Sequence, residues 1–373
     1  KSGYNEACQI LTKAAVVDLM DVFSFFSLGG GLAFFLFGMY ILSAQLEKLA
    51  GGKLEKTLRI MTSNKWKGIT LGCVITIAIQ SSSALTVMLV GFVNSGIMEL
   101  EQTIGVIMGS NIGTTLTAWI LSLSGINSDS TLLRLLKPTS FTPVLALIGA
   151  VMLLACKTSK KQNTGEALLG FAVLMYGMEL MSEAVSPLAN SSQFTSILAF
   201  FNNPAFGILA GTLFTALIQS SAASIGILQA LSMTGSITYG MAIPIIMGQN
   251  IGTCITAILS AISANRSGKR VAAIHVSFNV IGTLTVCAIF YPLNAALNFA
   301  FVNLPIGPVE IALVHSIFNI FTTALLLPFT KQLVKLAYRI VPDKPEADGG
   351  IFLDQRLMVT PPFAVAECRN MTV

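Results

Sequence analysis

Two strings of hydroxyl and amide side chains recur in a sequence that is almost free of charge around them. The first copy reads Gln80-Ser81-Ser82-Ser83, then Ser110-Asn111-Ile112-Gly113-Thr114-Thr115. The second reads Gln219-Ser220-Ser221, then Gln249-Asn250-Ile251-Gly252-Thr253-Cys254. The step from Gln80 to Asn111 equals the step from Gln219 to Asn250. Hydroxyls donate and accept, and amides carry a group of each kind. Such a set can donate to the oxygens of an anion or offer oxygens to Na+. A single polar residue among apolar ones commonly serves as glue between helices. The same strings twice, at the same internal spacing, point to a site.

Each string also predicts a break in a helix. A beginning half-helix aims unpaired N–H groups and a positive dipole end at the break, which suits an anion. An ending half-helix aims carbonyls there, which suits Na+. Polar, glycine-containing stretches at membrane depth must line a cavity or pack on protein, because lipid cannot satisfy a freed backbone.

The elements that carry these strings belong to a membrane. Of 373 residues, 54% are hydrophobic and only 10% charged, with a mean hydropathy of +0.76. A soluble domain carries about 25% charged residues. The long run Ala184–Asn265 contains no Asp, Glu, Lys or Arg. Other uncharged runs, among them Val22–Leu46, Gly68–Met98 and Val271–Val309, are long enough to enter or cross about 30 Å of hydrocarbon. Soluble enzymes and nucleic-acid binders are excluded. The six cysteines show no metal-ligand spacing. No cleavable signal sequence is legible, and a start at Lys1 rather than Met fits a trimmed leader.

Laid on itself, the chain aligns Ala33–Ala118 with Ala172–Ala257 without a gap, and 19 of the 47 positions from 72 to 118 are identical in the second copy. Matched Gln, Asn, Ser, Thr and Gly in register mark an internal duplication. The runs predict crossings at Val22–Leu46, Gln102–Ser124, Pro138–Cys156, Glu166–Ser186, Ser236–Ile262, Val271–Pro292 and Ile311–Thr330. Gly68–Met98 and Gly207–Gly235 are broken too near their middles to cross, which predicts re-entrant hairpins with Gln-Ser-Ser tips. Glu47–Lys67 reads as an amphipathic helix on the cytoplasmic face. This path starts the second copy inside where the first started outside. Fifteen Lys/Arg then fall in cytoplasmic segments and four outside, in keeping with the positive-inside rule. The expected fold is all-α, with two inverted repeats, each holding a hairpin and a broken helix. Residues 1–21 form an external N-terminal segment. Residues 22–165 are the first repeat (hairpin 68–98, broken helix 102–124). Residues 166–340 are the second (hairpin 207–235, broken helix 236–262) with closing helices, and 341–373 a cytoplasmic tail. Inverted repeats with broken helices are the architecture of secondary transporters.

The paired strings, QSSS with GSNIGTT and QSS with GQNIGTC, resemble those of the sodium/phosphate cotransporter family, over Gly31 to about Arg339. The resemblance implies an Na+-coupled symporter of inorganic phosphate in a cell membrane, working by alternating access. It implies phosphate contacts from Gln80, Ser81, Ser82, Ser83, Gln219, Ser220, Ser221, Asn111 and Asn250. The implied sodium contacts are Gln80, Ser110, Thr114, Thr115, Gln219, Gln249, Thr253 and Thr256. This chain departs from the pattern at Ala222, Gln249 and Cys254. Na+ is the expected coupling ion, with no other cofactor. The expected partners are phosphate, the lipid bilayer and a second copy of the chain, and no nucleic acid. Residues Leu353–Leu357 with Thr360-Pro361 resemble a linker that in many bacterial members leads into a soluble regulatory domain, which would lie beyond Val373.

From the residues alone another anion, such as a dicarboxylate or sulfate, remains open beside phosphate. A channel fits an inverted repeat poorly, and an enzyme lacks a nucleophile set beside a base. Outside the paired strings, Glu179 is an intramembrane carboxylate and so a functional candidate. His275 with Asn279, and His315, occur in the similar strings HVSFN and HSIFN. There they either tune the site or, as we prefer, pin neighbouring helices.

Overall fold

A computed structural model describes residues 2–50, 64–125, 137–186, 198 and 200–343; of residues 2–22 and 139 the backbone alone is described. Those residues form helices, with an isolated β-bridge between Thr238 and Pro305. In chain order the helices are α1 (Ser2–Ala50), α2 (Lys65–Ile79), α3 (Ser82–Asn94), α4 (Leu100–Ser122), α5 (Pro138–Ala155) and α6 (Ser159–Val185). There follow α7 (Pro204–Ile218), α8 (Ser221–Ser232), α9 (Tyr239–Gly252), α10 (Ile255–Ala261), α11 (Arg266–Leu297), α12 (Pro308–Leu326) and α13 (Thr330–Ile340). Residues 1–341 form one compact unit; of the remainder only Pro342 and Asp343 are described. The expected cytoplasmic tail therefore lies almost wholly outside the described residues, as does most of the expected amphipathic segment 47–67. What is described of that segment ends α1 and begins α2.

Among the described residues six stretches are long and apolar enough to cross a membrane: Phe23–Ala50, Leu100–Gly125, Ser159–Val185, Tyr239–Ala261, Arg266–Leu297 and Pro308–Ile340. They coincide with six of the seven expected crossings. The seventh, α5, has 18 residues, roughly 27 Å at 1.5 Å per residue.

The duplication is written into the packing. A Cβ on Gly72 would strike Val106 O and one on Gly109 would strike Ile69 O. At the equivalent points of the second copy, a Cβ on Gly211 would strike Ile245 O and one on Gly248 Ile208 O. Absence of a side chain at these four positions lets α2 lie on α4, and α7 on α9, at backbone distance. The contacts advance together along both chains (Gly68 with Gly105, Gly113 with Cys73 and Thr76), so each pair runs parallel. Helices α1 and α6 run antiparallel, and their contacts are reciprocal. Gly31 meets Gly177 and Met181, while Gly170, the counterpart of Gly31 in the second copy, meets Gly38 and Leu42.

One expectation is corrected. The first repeat was expected to hold a broken helix over Gly109–Thr115, but α4 runs unbroken from Leu100 to Ser122. Gly109 and Gly113 serve close packing on α2 rather than a break, and a helix tolerates a glycine at a cost of about 1 kcal/mol. Thr114 and Thr115 bond to Ser110 O (2.9 Å) and Ile112 O (2.7 Å) of their own helix. The second repeat does break, between Gly252 and Ile255. Cys254 N–H donates to Ile251 O, three residues back, and its thiol turns to His275 O on α11 (3.6 Å).

Candidate functional site

Helix α2 stops at Gln80 and α7 at Gln219, each in the left-handed region (φ 53° and 56°). A non-glycine residue there is uncommon, and here it sits at the same point of both repeats. The chain reverses into a new helix at once. Ser81 caps α3, its Oγ accepting from Ala84 N (3.1 Å), and Ser220 caps α8 in the same way from Ala223 N (3.2 Å). Each tip therefore places the carbonyl end of one helix beside the amide end of the next.

Both tips open onto one cavity of about 380 Å³. Gln80, Ser81, Ser82 and Ser83 enter it from the first repeat and Gln219, Ser220, Ser221 and Ala222 from the second, with Thr114 and Thr117 of α4 between them. One wall is α1, through Met39, Tyr40, Ser43, Ala44 and Glu47. Among the described residues no Lys or Arg lines it. The first tip is braced: Thr117 Oγ1 donates to Gln80 Oε1 (3.0 Å), Gln80 Nε2 donates to Ile77 O (2.7 Å), and Ser43 Oγ donates to Gln80 O (3.5 Å).

Of the residues expected at the site, the tips and Thr114 meet in this cavity. Asn111 and Asn250 do not line it; both are buried, donating to Ile107 O (3.2 Å) and Ile246 O (2.9 Å) one turn back. Thr115, Ser110, Gln249, Thr253 and Thr256 lie outside its lining too. Glu179 lines a separate cavity with Lys137, Ser182 and Glu183. His275 and His315 are buried, and one turn along each helix an Asn side chain, Asn279 or Asn319, donates to their carbonyls.

Sequence reasoning missed Tyr40, Ser43 and Glu47, and also Thr76, which lines the cavity, and its counterpart Thr215. The hydroxyls of Thr76 and Thr215 are buried without a hydrogen-bond partner among the described residues, as are Ser110 Oγ and Gln249 Oε1. These four positions are two pairs related by the repeat. Buried polar atoms are nearly always partnered, so orphans recurring in register call for an unseen ligand or water.

The Na+/Pi-cotransporter family model matches residues 34–183 and again 173–307. The chain belongs to the Na+/Pi-cotransporter family. That family is one of multi-pass membrane transporters rather than enzymes. The chain is 32% identical to the uncharacterized protein YqeW of Bacillus subtilis, over 84% of this chain and 97% of that one. It is 25% identical to the putative inorganic phosphate export protein YjbB of Salmonella typhimurium, over 90% of this chain and 60% of YjbB. A segment covering 31% of the chain is 36% identical to sodium-dependent phosphate transport protein 2A of Mus musculus, of which it spans 17%. The chain thus spans nearly all of YqeW and less than two thirds of each of the other two. No solved structure matches it.

Proposed function

We propose that the chain is a secondary active transporter, carrying inorganic phosphate together with Na+ through the cavity between the two Gln-Ser-Ser tips. The observation that carries this reading is the convergence of both tips on one cavity. Two helix amide ends, at Ser82 and Ser221, point there with the hydroxyls of Ser81, Ser83 and Ser220 around them. That arrangement suits a tetrahedral oxyanion. Family membership and the names of the relatives favour phosphate over a dicarboxylate or sulfate.

Sodium enters by necessity of charge. HPO₄²⁻ meets no cation among the described residues of the lining, and burying it uncompensated is prohibitive. Carbonyl ends at Gln80 and Gln219 and the orphan oxygens of Thr76, Ser110, Thr215 and Gln249 are suitable donors for Na+. Thr114, Thr115, Thr253 and Thr256 remain candidates of the same kind, as do Asn111 and Asn250 for phosphate.

Alternating access is the mechanism we favour. Helices α1 and α6 are equivalent in the duplication yet antiparallel, with reciprocal contacts. A two-fold axis relating them must lie across the helices, hence in the plane of the membrane. That supports an inverted repeat with α2–α3 and α7–α8 as re-entrant hairpins. The direction of flow in the cell then follows the gradients, and export, as the YjbB name has it, is as open to this architecture as uptake.

The deciding experiment is counterflow of labelled phosphate in proteoliposomes with and without Na+, beside labelled succinate and sulfate. Na+-dependent phosphate exchange that excess succinate leaves untouched is expected. Exchange indifferent to Na+ would sink the coupling, and exchange of succinate in place of phosphate would sink the substrate.

A further inference from the structure

At the end of the molecule where α11 begins and α13 ends there is a cavity of about 370 Å³, remote in sequence from both tips. Its walls are apolar: Ile258 of α10 and Ile262 just after it, Ala273 and Val276 of α11, and Ile340 closing α13. The one charged residue in the lining is Lys269, exposed in the first turn of α11. Ile262 and Ile340 show 65% and 55% of their surface, so the cavity opens outward rather than into the core.

The helix that ends at this cavity is basic on its exposed side. Helix α13 buries Leu333 and Ala337 and exposes Lys331, Lys335 and Arg339. An amphipathic helix with a basic face settles at the boundary between headgroups and acyl chains. Arg270 is committed elsewhere: its guanidinium lies 3.8 Å over the Tyr338 ring and its Nε donates to Val341 O (3.0 Å). That clamp ties the end of α13 to α11, so the wall formed by Ile340 is held in place before any occupant arrives. Lys269 remains at the mouth, with no carboxylate in the lining to neutralise it.

We propose that this cavity is a binding site for an anionic phospholipid, with an acyl chain among Ile258, Ile262, Val276 and Ile340 and the headgroup phosphate on Lys269. Charge complementarity selects the occupant. A zwitterionic lipid could fill the apolar part but would bring a second positive charge towards Lys269. The site is independent of the transport reading and needs only the membrane.

The test uses the full chain reconstituted into vesicles of phosphatidylcholine with a minority of phosphatidylglycerol, re-extracted gently and analysed by native mass spectrometry. Phosphatidylglycerol should be retained above its share of the vesicle lipid. Lys269→Gln should lower that enrichment by about 5-fold, the worth of one basic contact with an anionic surface. Lys269→Arg should keep it, as should Lys160→Gln, an equal loss of charge at the start of α6. Ile262→Trp, which fills the cavity from its exposed side, should reduce retained lipid of both classes. Retained lipid that mirrors the vesicle composition would overturn the proposal. So would undiminished enrichment in Lys269→Gln that elutes as the wild type does, or equal loss in Lys160→Gln.

Discussion

The cavity along α1 and the smaller one along α6 occupy the same positions of the two repeats. The first takes Leu36, Tyr40, Ser43, Ala44 and Glu47 from α1; the second, of about 240 Å³, takes Met175, Glu179, Ser182, Glu183 and Ser186 from α6. Taken in order, each residue of the second set is the repeat counterpart of one in the first, from Leu36 with Met175 to Glu47 with Ser186. Yet the larger cavity reaches both Gln-Ser-Ser tips, whereas the smaller ends against Ser124, Lys137, Pro138 and Met233. Equivalent helix faces thus line one cavity that reaches the tips and one that does not. In an antiparallel pair the two faces look to opposite ends of the molecule, so under the proposed alternating access they would be the two mouths of one pathway.

The largest effect should come from removing what the two cavities do not share, the tips. Ser82→Ala and Ser221→Ala each delete a hydroxyl at the amide end of a helix facing the site. Loss of a donor to a charged group costs about 1.5–3 kcal/mol, roughly 10- to 150-fold in phosphate affinity, read by equilibrium binding to purified protein. Glu179→Gln, in the smaller cavity, should leave that affinity nearly unchanged. If Glu179→Gln weakens binding as much as the serine variants do, the two cavities are not mouths of one site.

A second measurement separates two mouths from one pore. Ser43→Cys and Ser182→Cys place thiols at equivalent positions of α1 and α6. Membrane-impermeant reagents should reach them from opposite sides, and Na+ with phosphate should change the two rates in opposite directions. Each step of about 1.4 kcal/mol of bias by the ligands moves the ratio of the states about tenfold. Labelling of both from one side, in all conditions, would mean a fixed channel.

How much of this was legible in the sequence differs from element to element. The tips were legible because each Gln-Ser-Ser string falls near the middle of an uncharged run whose halves are too short to cross, and the structure puts Gln80 and Gln219 in the left-handed region as a turn requires. The break in α4 was misread because glycine has two uses in a helix, loosening it or letting another helix approach. Periodicity does not distinguish them; the partner helix decides. Tyr40 and Ser43 were missed because Val22–Leu46 read as a plain crossing, and Glu47 because it opened the expected amphipathic segment. The signal existed: Glu179, singled out in α6, maps onto Tyr40 under the same alignment that matched the tips. Thr76 and Thr215 were identical in that alignment too, but threonine on an apolar helix is common enough to pass unremarked.

The repeats also differ in how firmly each tip is held, and that difference is testable at smaller scale. Thr117 Oγ1 bridges from α4 to Gln80 Oε1, whereas its counterpart Thr256 bonds within its own stretch, to Thr253 O (3.1 Å). Thr117→Val should lower thermal stability by about 0.5–1.5 kcal/mol and slow exchange by loosening the first tip. Thr256→Val should do less on both counts. Equal losses would mean that the brace on Gln80 is incidental.

The smallest expected effect is none, and it concerns voltage. Two Na+ with HPO₄²⁻ make a neutral load, whereas a third would carry a net charge worth about 2.3 kcal/mol per 100 mV. What the site itself contributes decides between these. Among the described residues the lining of the larger cavity holds one ionisable side chain besides Tyr40, the carboxylate of Glu47, exposed near the end of α1 and away from the tips along the helix. The described stretches that converge on the tips, 68–98 and 102–124 in the first repeat and 200–262 in the second, carry no Asp, Glu, Lys, Arg or His to balance an extra sodium. The strings after the two NIGT motifs, Pro138–Thr142 and His275–Asn279, contain no acid either. Transport should therefore be electroneutral, with two Na+ per phosphate. Uptake into proteoliposomes clamped at different potentials with valinomycin and potassium should be flat across the range. A rate that climbs with inside-negative potential would show a third positive charge crossing. Glu179→Gln would then be the first variant to test for abolishing the slope, because α6 offers an intramembrane carboxylate able to hold it.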